Sequence, residues 1–166
     1  MITLNKYEEE KDILCELIKQ FWIAHNDYTP TDEENMEDLL AWTGENHVVY
    51  LIRKDEDIIG FAHLGSRGCK IDWLEDLFIL PKYQGNGYGS EALHLVENIV
   101  KEYSDSVYLE VAARNADALK LYCRNGYDCL NTITIRKDFK PENYVVTSEE
   151  EILEHEFKIK DYAEEL

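Results

Sequence analysis

The chain has 166 residues, 45% of them hydrophobic, and a formal net charge of −18. That length fits one domain, 1–166, with a sizeable core, and so acidic a body should repel nucleic acid and anionic membranes. The four cysteines form no C-x-x-C pair and no histidine cluster accompanies them, so no metal is expected and reduced thiols in a cytoplasmic setting are the simplest reading; the N-terminus turns acidic at once, unlike a signal peptide, and no apolar run nears the ~18 residues that span a bilayer.

Ile2 to Tyr7 alternates apolar and polar residues and predicts a first strand. From Glu8 to Ala24, Ile13, Leu14, Leu17, Ile18 and Phe21 recur at helical spacing. Asn26 to Pro30 breaks that helix, and Thr31 with Glu34 forms the capping-box pattern of a second. His47 to Lys54 and Ile58 to Leu64 predict two strands joined by a hairpin turn at Asp55-Glu56-Asp57. Lys70 to Leu80 is the next strand and Gly87 to Tyr103 the next helix. Val107 to Ala112 predicts a short strand, and Asn115 opens a helix from Ala116 to Asn125 that stops at Gly126. Tyr127 to Lys137 is β-rich, Pro141 to Ser148 reads as a connection, and Glu154 to Tyr162 as a final strand. The order β-α-α-β-β-β-α-β-α-β-β, hairpins first and crossovers later, indicates an α/β protein with a mixed sheet covered by helices on both faces.

One stretch concentrates the glycines: Gln84-Gly85-Asn86-Gly87-Tyr88-Gly89-Ser90, between a strand and a helix. Glycines there let the backbone approach a ligand closely. The N–H groups of the new helix start favour an anion, and a diphosphate suits them. The spacing is neither G-x-G-x-x-G nor a loop ending in G-K-[ST], so dinucleotide and nucleoside-triphosphate loops match poorly.

Gln-x-x-Gly-x-Gly resembles the coenzyme A loop of the GNAT family of acetyltransferases. A second stretch, Asn115-Ala116-Asp117-Ala118-Leu119-Lys120-Leu121-Tyr122 with Asn125-Gly126-Tyr127, resembles that family's later signature. Within the family, Trp73-Leu74-Glu75-Asp76-Leu77-Phe78 followed by the glycine loop looks like the spermidine/spermine acetyltransferases. Gln84 departs from their usual Arg, and the segment before the last strand is longer. The resemblance implies the GNAT fold and an acetyl-coenzyme A-dependent acetyltransferase. Gln84 to Ser90 would then hold the diphosphate. The edge of Leu77, Phe78 and Ile79 would pair with the pantetheine arm, and Asn115 would bond its amides or cap its own helix.

Moving an acetyl group from a thioester to an amine also needs a base and an acid. By alternation Ile71, Trp73, Glu75, Leu77 and Ile79 share one strand face, which makes Glu75 the lone charge on an apolar stripe. A carboxylate so buried becomes a better base near neutral pH. Asp76 falls on the opposite face unless a bulge intervenes, and there it would anchor substrate. The family motif makes Tyr122 the proton donor to the departing thiolate. By the same resemblance the first two helices border the acceptor, with Glu33, Glu34, Glu37 and Asp38 beside Phe21, Trp22, Tyr28 and Trp42. Trp22 and Tyr28 are the candidate substrate contacts. His63 and His94 have no partners in the pattern and read as ordinary packing or surface positions. The expected acceptor is a small, polycationic primary amine, a polyamine or an aminoglycoside. A protein N-terminus or lysine is the alternative acceptor, and a non-catalytic coenzyme A module the alternative class. A homodimer is left open.

Overall fold

The computed structural model describes residues 1–163. The chain forms two compact units, Met1–Glu110 and Val111–Leu166.

The first unit is a five-stranded sheet in the order β1-β2-β3-β4-β5. β1 is Thr3–Lys6, β2 His47–Lys54, β3 Asp57–Gly65, β4 Trp73–Ile79 and β5 Tyr108–Leu109. All pairs are antiparallel except β4 with β5, which are parallel, so the sheet is mixed as expected. Helices α1 (Lys11–Asn26) and α2 (Asp32–Trp42) precede β2, and α3 (Tyr88–Val100) follows β4. The apolar stripe Leu14, Leu17, Ile18 and Phe21 of α1 packs with Leu39 and Trp42 of α2 against Val49, Leu51, Phe61 and Phe78 of the sheet. On the other side Ile52, Ile59 and Ile79 pack with Ala92 of α3. Burying each such Leu, Ile or Phe contributes about 1.5–3 kcal/mol, so the two helix layers clamp the sheet from both faces.

The capping box at α2 is present: Glu34 N donates to Thr31 Oγ1 at 3.2 Å and Thr31 N to Glu34 Oε2 at 2.8 Å. The β2–β3 hairpin turns at Asp55, whose φ of 54° lies in the left-handed region. β5 is shorter than its apolar run suggests. It pairs with β4 only at Trp73↔Tyr108 and Leu74↔Leu109.

The second unit holds α4 (Ala116–Arg124) and a two-stranded hairpin, β6 (Tyr144–Ile152) with β7 (His155–Tyr162). Two expectations are corrected here. The β-rich stretch 127–137 is not a strand, and part of the supposed connection 141–148 is. Strand residues need a partner ladder for their N–H and C=O groups, and β7 takes β6 as that partner across a tight turn at Leu153 and Glu154, both at positive φ. Ile133 and Ile135 are left exposed.

Gly60 marks the tightest constraint on the sheet. A Cβ there would meet the carbonyl oxygen of Phe78 at 2.0 Å. Gly60→Ala should therefore destabilise the protein by about 3 kcal/mol or more, read as a lower denaturation midpoint. An unchanged midpoint would mean that β3 and β4 separate more easily than their packing indicates.

Candidate active site

The glycine loop lies where the sequence put it. β4 leads through a short 3₁₀ turn at Pro81–Tyr83 into Gln84, and α3 begins at Tyr88. Gly85 and Gly87 take φ values of 77° and 82°, conformations that other residues adopt only under strain. A Cβ at either would meet no heavy atom within 4 Å, so both face open space. Gly87 occupies the N-cap of α3 and no side chain caps the first turn, which leaves the dipole end of the helix facing that space. Gln84 anchors the loop, its Nε2 donating to Ile79 O at 2.8 Å, and Asn86 Nδ2 bonds Tyr83 O and Gln84 O.

Beyond Leu74, β4 has no strand partner on its β5 side among the described residues. In the stretch Leu77, Phe78 and Ile79 the backbone groups of Leu77 and the Ile79 N–H therefore stay on an open edge that an extended chain can pair with, as an added strand does, while the Ile79 carbonyl is taken by Gln84 Nε2. The open edge runs straight into the glycine loop. An elongated ligand with a peptide-like arm that leads into a diphosphate fits the two features together, and acetyl-coenzyme A has that form.

The carboxylates on β4 depart from the expected pattern. His63 pairs with Asp76 but Leu64 pairs with Leu74, so Glu75 is an extra residue in a β-bulge. Simple alternation therefore fails at Glu75. A Cβ on Gly65 would meet Glu75 Oε1 and His47 Cε1, each at 3.0 Å, which puts Glu75 beside His47. Nor is Glu75 a lone charge. Arg67 Nε and Nη2 reach its two oxygens at 3.1 and 2.7 Å, while Nη1 reaches Glu110 at 2.8 Å. The guanidinium lies 3.9 Å over the Trp73 ring. Bidentate pairing and stacking fix its plane, and the two carboxylates hold Arg67 well above its ordinary range, permanently charged.

Asp76 also has a partner that the sequence pattern did not supply. Its Oδ2 is 2.8 Å from His63 Nδ1, and His63 Nε2 is 2.8 Å from His47 Nδ1. His63 is only 3% exposed and stacks on Trp42 at 4.7 Å. His63 is thus a packed core residue, as expected, but one with two polar partners that the sequence pattern did not show. His94 is a surface residue beside Glu97.

Trp22 and Tyr28 spend their polar ends within the protein. Trp22 Nε1 donates to Asp38 at 2.7 Å and Tyr28 Oη to Glu34 at 2.6 Å, which ties α1 and its exit to α2. Only their ring faces are left for a ligand. A groove of about 680 Å³ runs between α1 and the end of β4, lined by Asp12, Glu16, Leu17, Ile58 and Leu80 among others. Leu80 is four residues along from Asp76, about 13 Å of strand, so this groove adjoins the glycine loop rather than the carboxylates.

In the second unit Asn115 Oδ1 accepts from Ala118 N at 3.2 Å, so the capping role is real. Tyr122 is half-buried on α4, its ring edge-on to Tyr127 at 5.7 Å. Among the described residues no group of three or more His, Cys, Asp or Glu side chains could hold a metal ion, and no helix is long and apolar enough to cross a membrane.

Burial and the neighbouring His63 hold the His47 imidazole below its ordinary value, with Glu75 pulling weakly the other way. An imidazole so shifted takes up its proton more readily in the unfolded chain. Stability is then full above about pH 6.5 and falls as the pH drops through that value. The melting temperature of the parent should fall more between about pH 8 and pH 5.5 than that of His47→Gln, above the window where carboxylates titrate. Identical slopes would refute the shift.

The comparisons agree with this geometry. Residues 12–127 match the model of the acetyltransferase (GNAT) family. A spermine/spermidine N(1)-acetyltransferase of Bacillus subtilis is 31% identical over 81 residues, 43% of this chain and 53% of that protein, so the match spans about half the relative's length. An uncharacterised N-acetyltransferase of Mycobacterium tuberculosis is 28% identical over 109 residues, 64% of this chain and 70% of that one. Among solved structures, the aminoglycoside acetyltransferase AAC(6')-Iy bound to a coenzyme A bisubstrate analogue superposes with a TM-score of 0.63 at 18% identity, covering 83% of this chain and 99% of its own. A transcriptional regulator of Bacillus halodurans reaches 0.65 at 14% identity over 84% and 100%. Structural likeness at such identities establishes the fold and not the substrate. The family match covers the glycine loop, the bulged strand and the Asn115-to-Tyr127 signature, and on it the chain belongs to the GNAT family of acetyltransferases.

Proposed function

We propose that the protein transfers an acetyl group from acetyl-coenzyme A to a primary amine of a small polycationic acceptor. The observation that carries this is the open edge of β4 running into an uncapped helix start, with two carboxylates at the bulge a few residues before it. The family match runs across the boundary between the two compact units, which supports their belonging to one acetyltransferase domain.

The bound coenzyme would supply the acetyl thioester. The chain's own residues supply the rest. Amides of Gly85 to Ser90 would bind the diphosphate, and the backbone of Leu77, Phe78 and Ile79 the arm. An N–H on that edge would polarise the thioester carbonyl, as in an oxyanion hole. Asn115 would offer its amide group to the arm while its oxygen caps α4. Tyr122 is assigned by the family signature as the acid that protonates the leaving thiolate. Glu75 was the expected base, but Arg67 engages both of its oxygens, so it would act only indirectly, by holding Arg67 and the bulge in place, while the ammonium near pKa ~10 needs another group to take its proton.

For the acceptor, three things point the same way. The chain is strongly acidic, with Asp32, Glu33 and Glu34 in the first turn of α2. Asp76 lies on the strand that carries the open edge; its Oδ2 is bonded to His63, so it would contribute negative potential to the site rather than a direct contact. The Bacillus subtilis relative bears the name of a polyamine acetyltransferase, and AAC(6')-Iy that of an aminoglycoside acetyltransferase. Clustered carboxylates concentrate a cation, and the ring faces of Trp22 and Tyr28 would receive its methylenes.

A thiol-release assay with acetyl-coenzyme A tests this against spermidine, an aminoglycoside, a neutral-tailed monoamine and a basic peptide. The polycations should turn over best, with KM rising steeply between about 0.1 and 1 M salt as the Debye length shrinks from ~10 to ~3 Å. Tyr122→Phe should lose about 10²-fold or more in turnover while still binding coenzyme A. Thiol release confined to the peptide would favour a protein acceptor, and none with any amine would refute the proposal.

A further inference from the structure

The file His47, His63, Asp76 is more than packing. Asp76 accepts only, so the bond to His63 fixes a proton on Nδ1 of that ring. A neutral imidazole carries one N–H, so His63 Nε2 is then a lone pair and must accept from His47 Nδ1. The chain of bonds therefore leaves the lone pair of His47 Nε2 as its outer end, on a half-buried residue at the start of β2. The Trp42 ring, nearly parallel to His63 at 14°, closes the inner end from α2. Glu75 lies beside the His47 ring, but Arg67 engages both of its oxygens. Of the groups gathered here, His47 is the one whose acceptor atom the network leaves outermost.

We propose that His47 is the base of the reaction, with His63 and Asp76 as positioning residues that take up the charge; this rests on amine acetylation as the protein's activity. The acceptor's ammonium loses a proton, directly or through one water, to His47 Nε2. The proton on His47 Nδ1 passes to His63 Nε2. His63 becomes an imidazolium with Nδ1–H still on the Asp76 carboxylate, and the amine keeps the electron pair that attacks the acetyl carbon. One proton moves in and one positive charge moves with it, from substrate to a ring already facing a carboxylate. The proton returns to water by the reverse path after transfer. The charged groups facing this file are Asp76 and Glu75 from β4, with Arg67 and Glu110 beyond Glu75; α2 offers only the uncharged Trp42. The relay works while His47 is neutral, which its lowered pKa secures at neutral pH.

The test is the pH dependence of acetyl transfer to spermidine, or to neamine if spermidine is inert, in the full-length parent, His47→Gln, His63→Gln and Glu75→Gln. His47→Gln should lose about 10²-fold in kcat at neutral pH with KM and coenzyme A affinity little changed. Its deficit should shrink as the pH rises toward the ammonium's own pKa of ~10, where free amine becomes abundant. The acidic limb of kcat/KM should vanish in His47→Gln and persist in Glu75→Gln. His63→Gln should move that limb, and should its burial prevent folding, nitrogen chemical shifts of the parent's imidazoles replace it. Both rings should carry their proton on Nδ1 at about pH 8, and Nε2–H on either would overturn the relay. A His47→Gln profile identical to the parent's would overturn it as well, leaving acetylation intact. A parent inert toward every amine would overturn both.

Discussion

A strand can offer its edge to a ligand only where no neighbouring strand has taken it. In this protein β4 and β5 share two pairs of residues and then part. The rest of the candidate site depends on that parting. Had β5 continued alongside β4 for the full length of its apolar run, Leu77 to Ile79 would be bonded into the sheet. The glycine loop would then cap an ordinary crossover. Because the strands part, β4 is buried on both faces by the two helix layers yet open along one edge. The burial keeps it rigid. The open edge gives it donors and acceptors that cost little to present, because the strand is already ordered.

The bulge at Glu75 sits where that open edge begins. It has a chemical consequence as well as a geometric one. An extra residue re-aims the strand's side chains, so the carboxylate of Glu75 comes beside His47 while Asp76 remains opposite His63. Two carboxylates in one place repel each other unless cations or donors separate them. Here Arg67 takes one and the His63 ring takes the other. The site therefore holds its two carboxylates in separate sets, one paired with a guanidinium and one hydrogen-bonded to an imidazole N–H.

Much of this was legible in the sequence. Apolar periodicity gave the helices and the central strands, Thr31 and Glu34 gave the α2 start, and the glycines marked the turn into α3. The bulge was not legible, because strict alternation places Glu75 on one face and nothing local to Trp73-Leu74-Glu75-Asp76 signals an added residue. Arg67 was missed because it lies in a turn, eight residues from its partner. His63 was read as a residue without partners, and His47 was not singled out at all. The β2–β3 register shifts by one residue between Ile52 and Arg53, and beyond that shift Val49 pairs with His63 and His47 with Gly65, which makes His47 and His63 diagonal neighbours on one face. Such positions lie about 7–8 Å apart, within reach of ring side chains. The second unit misled for a different reason. Leu153 and Glu154 take left-handed conformations that favour Gly or Asn, so the hairpin they join carries no turn signature, while the β-rich 127–137 stretch finds no partner strand among the described residues.

The central claim is that one continuous surface, the free edge of β4 and the start of α3, receives acetyl-coenzyme A. Titrating the isotope-labelled protein with coenzyme A while following backbone amide resonances tests it directly. The account predicts that the amides of Leu77 to Ile79 and Gly85 to Ser90 shift together and saturate with one affinity, with those of Tyr88 to Ser90 gaining protection from exchange. Shifts centred instead on Ile13, Leu17 and Ile58 in the α1 groove, with the β4 edge silent, would contradict it.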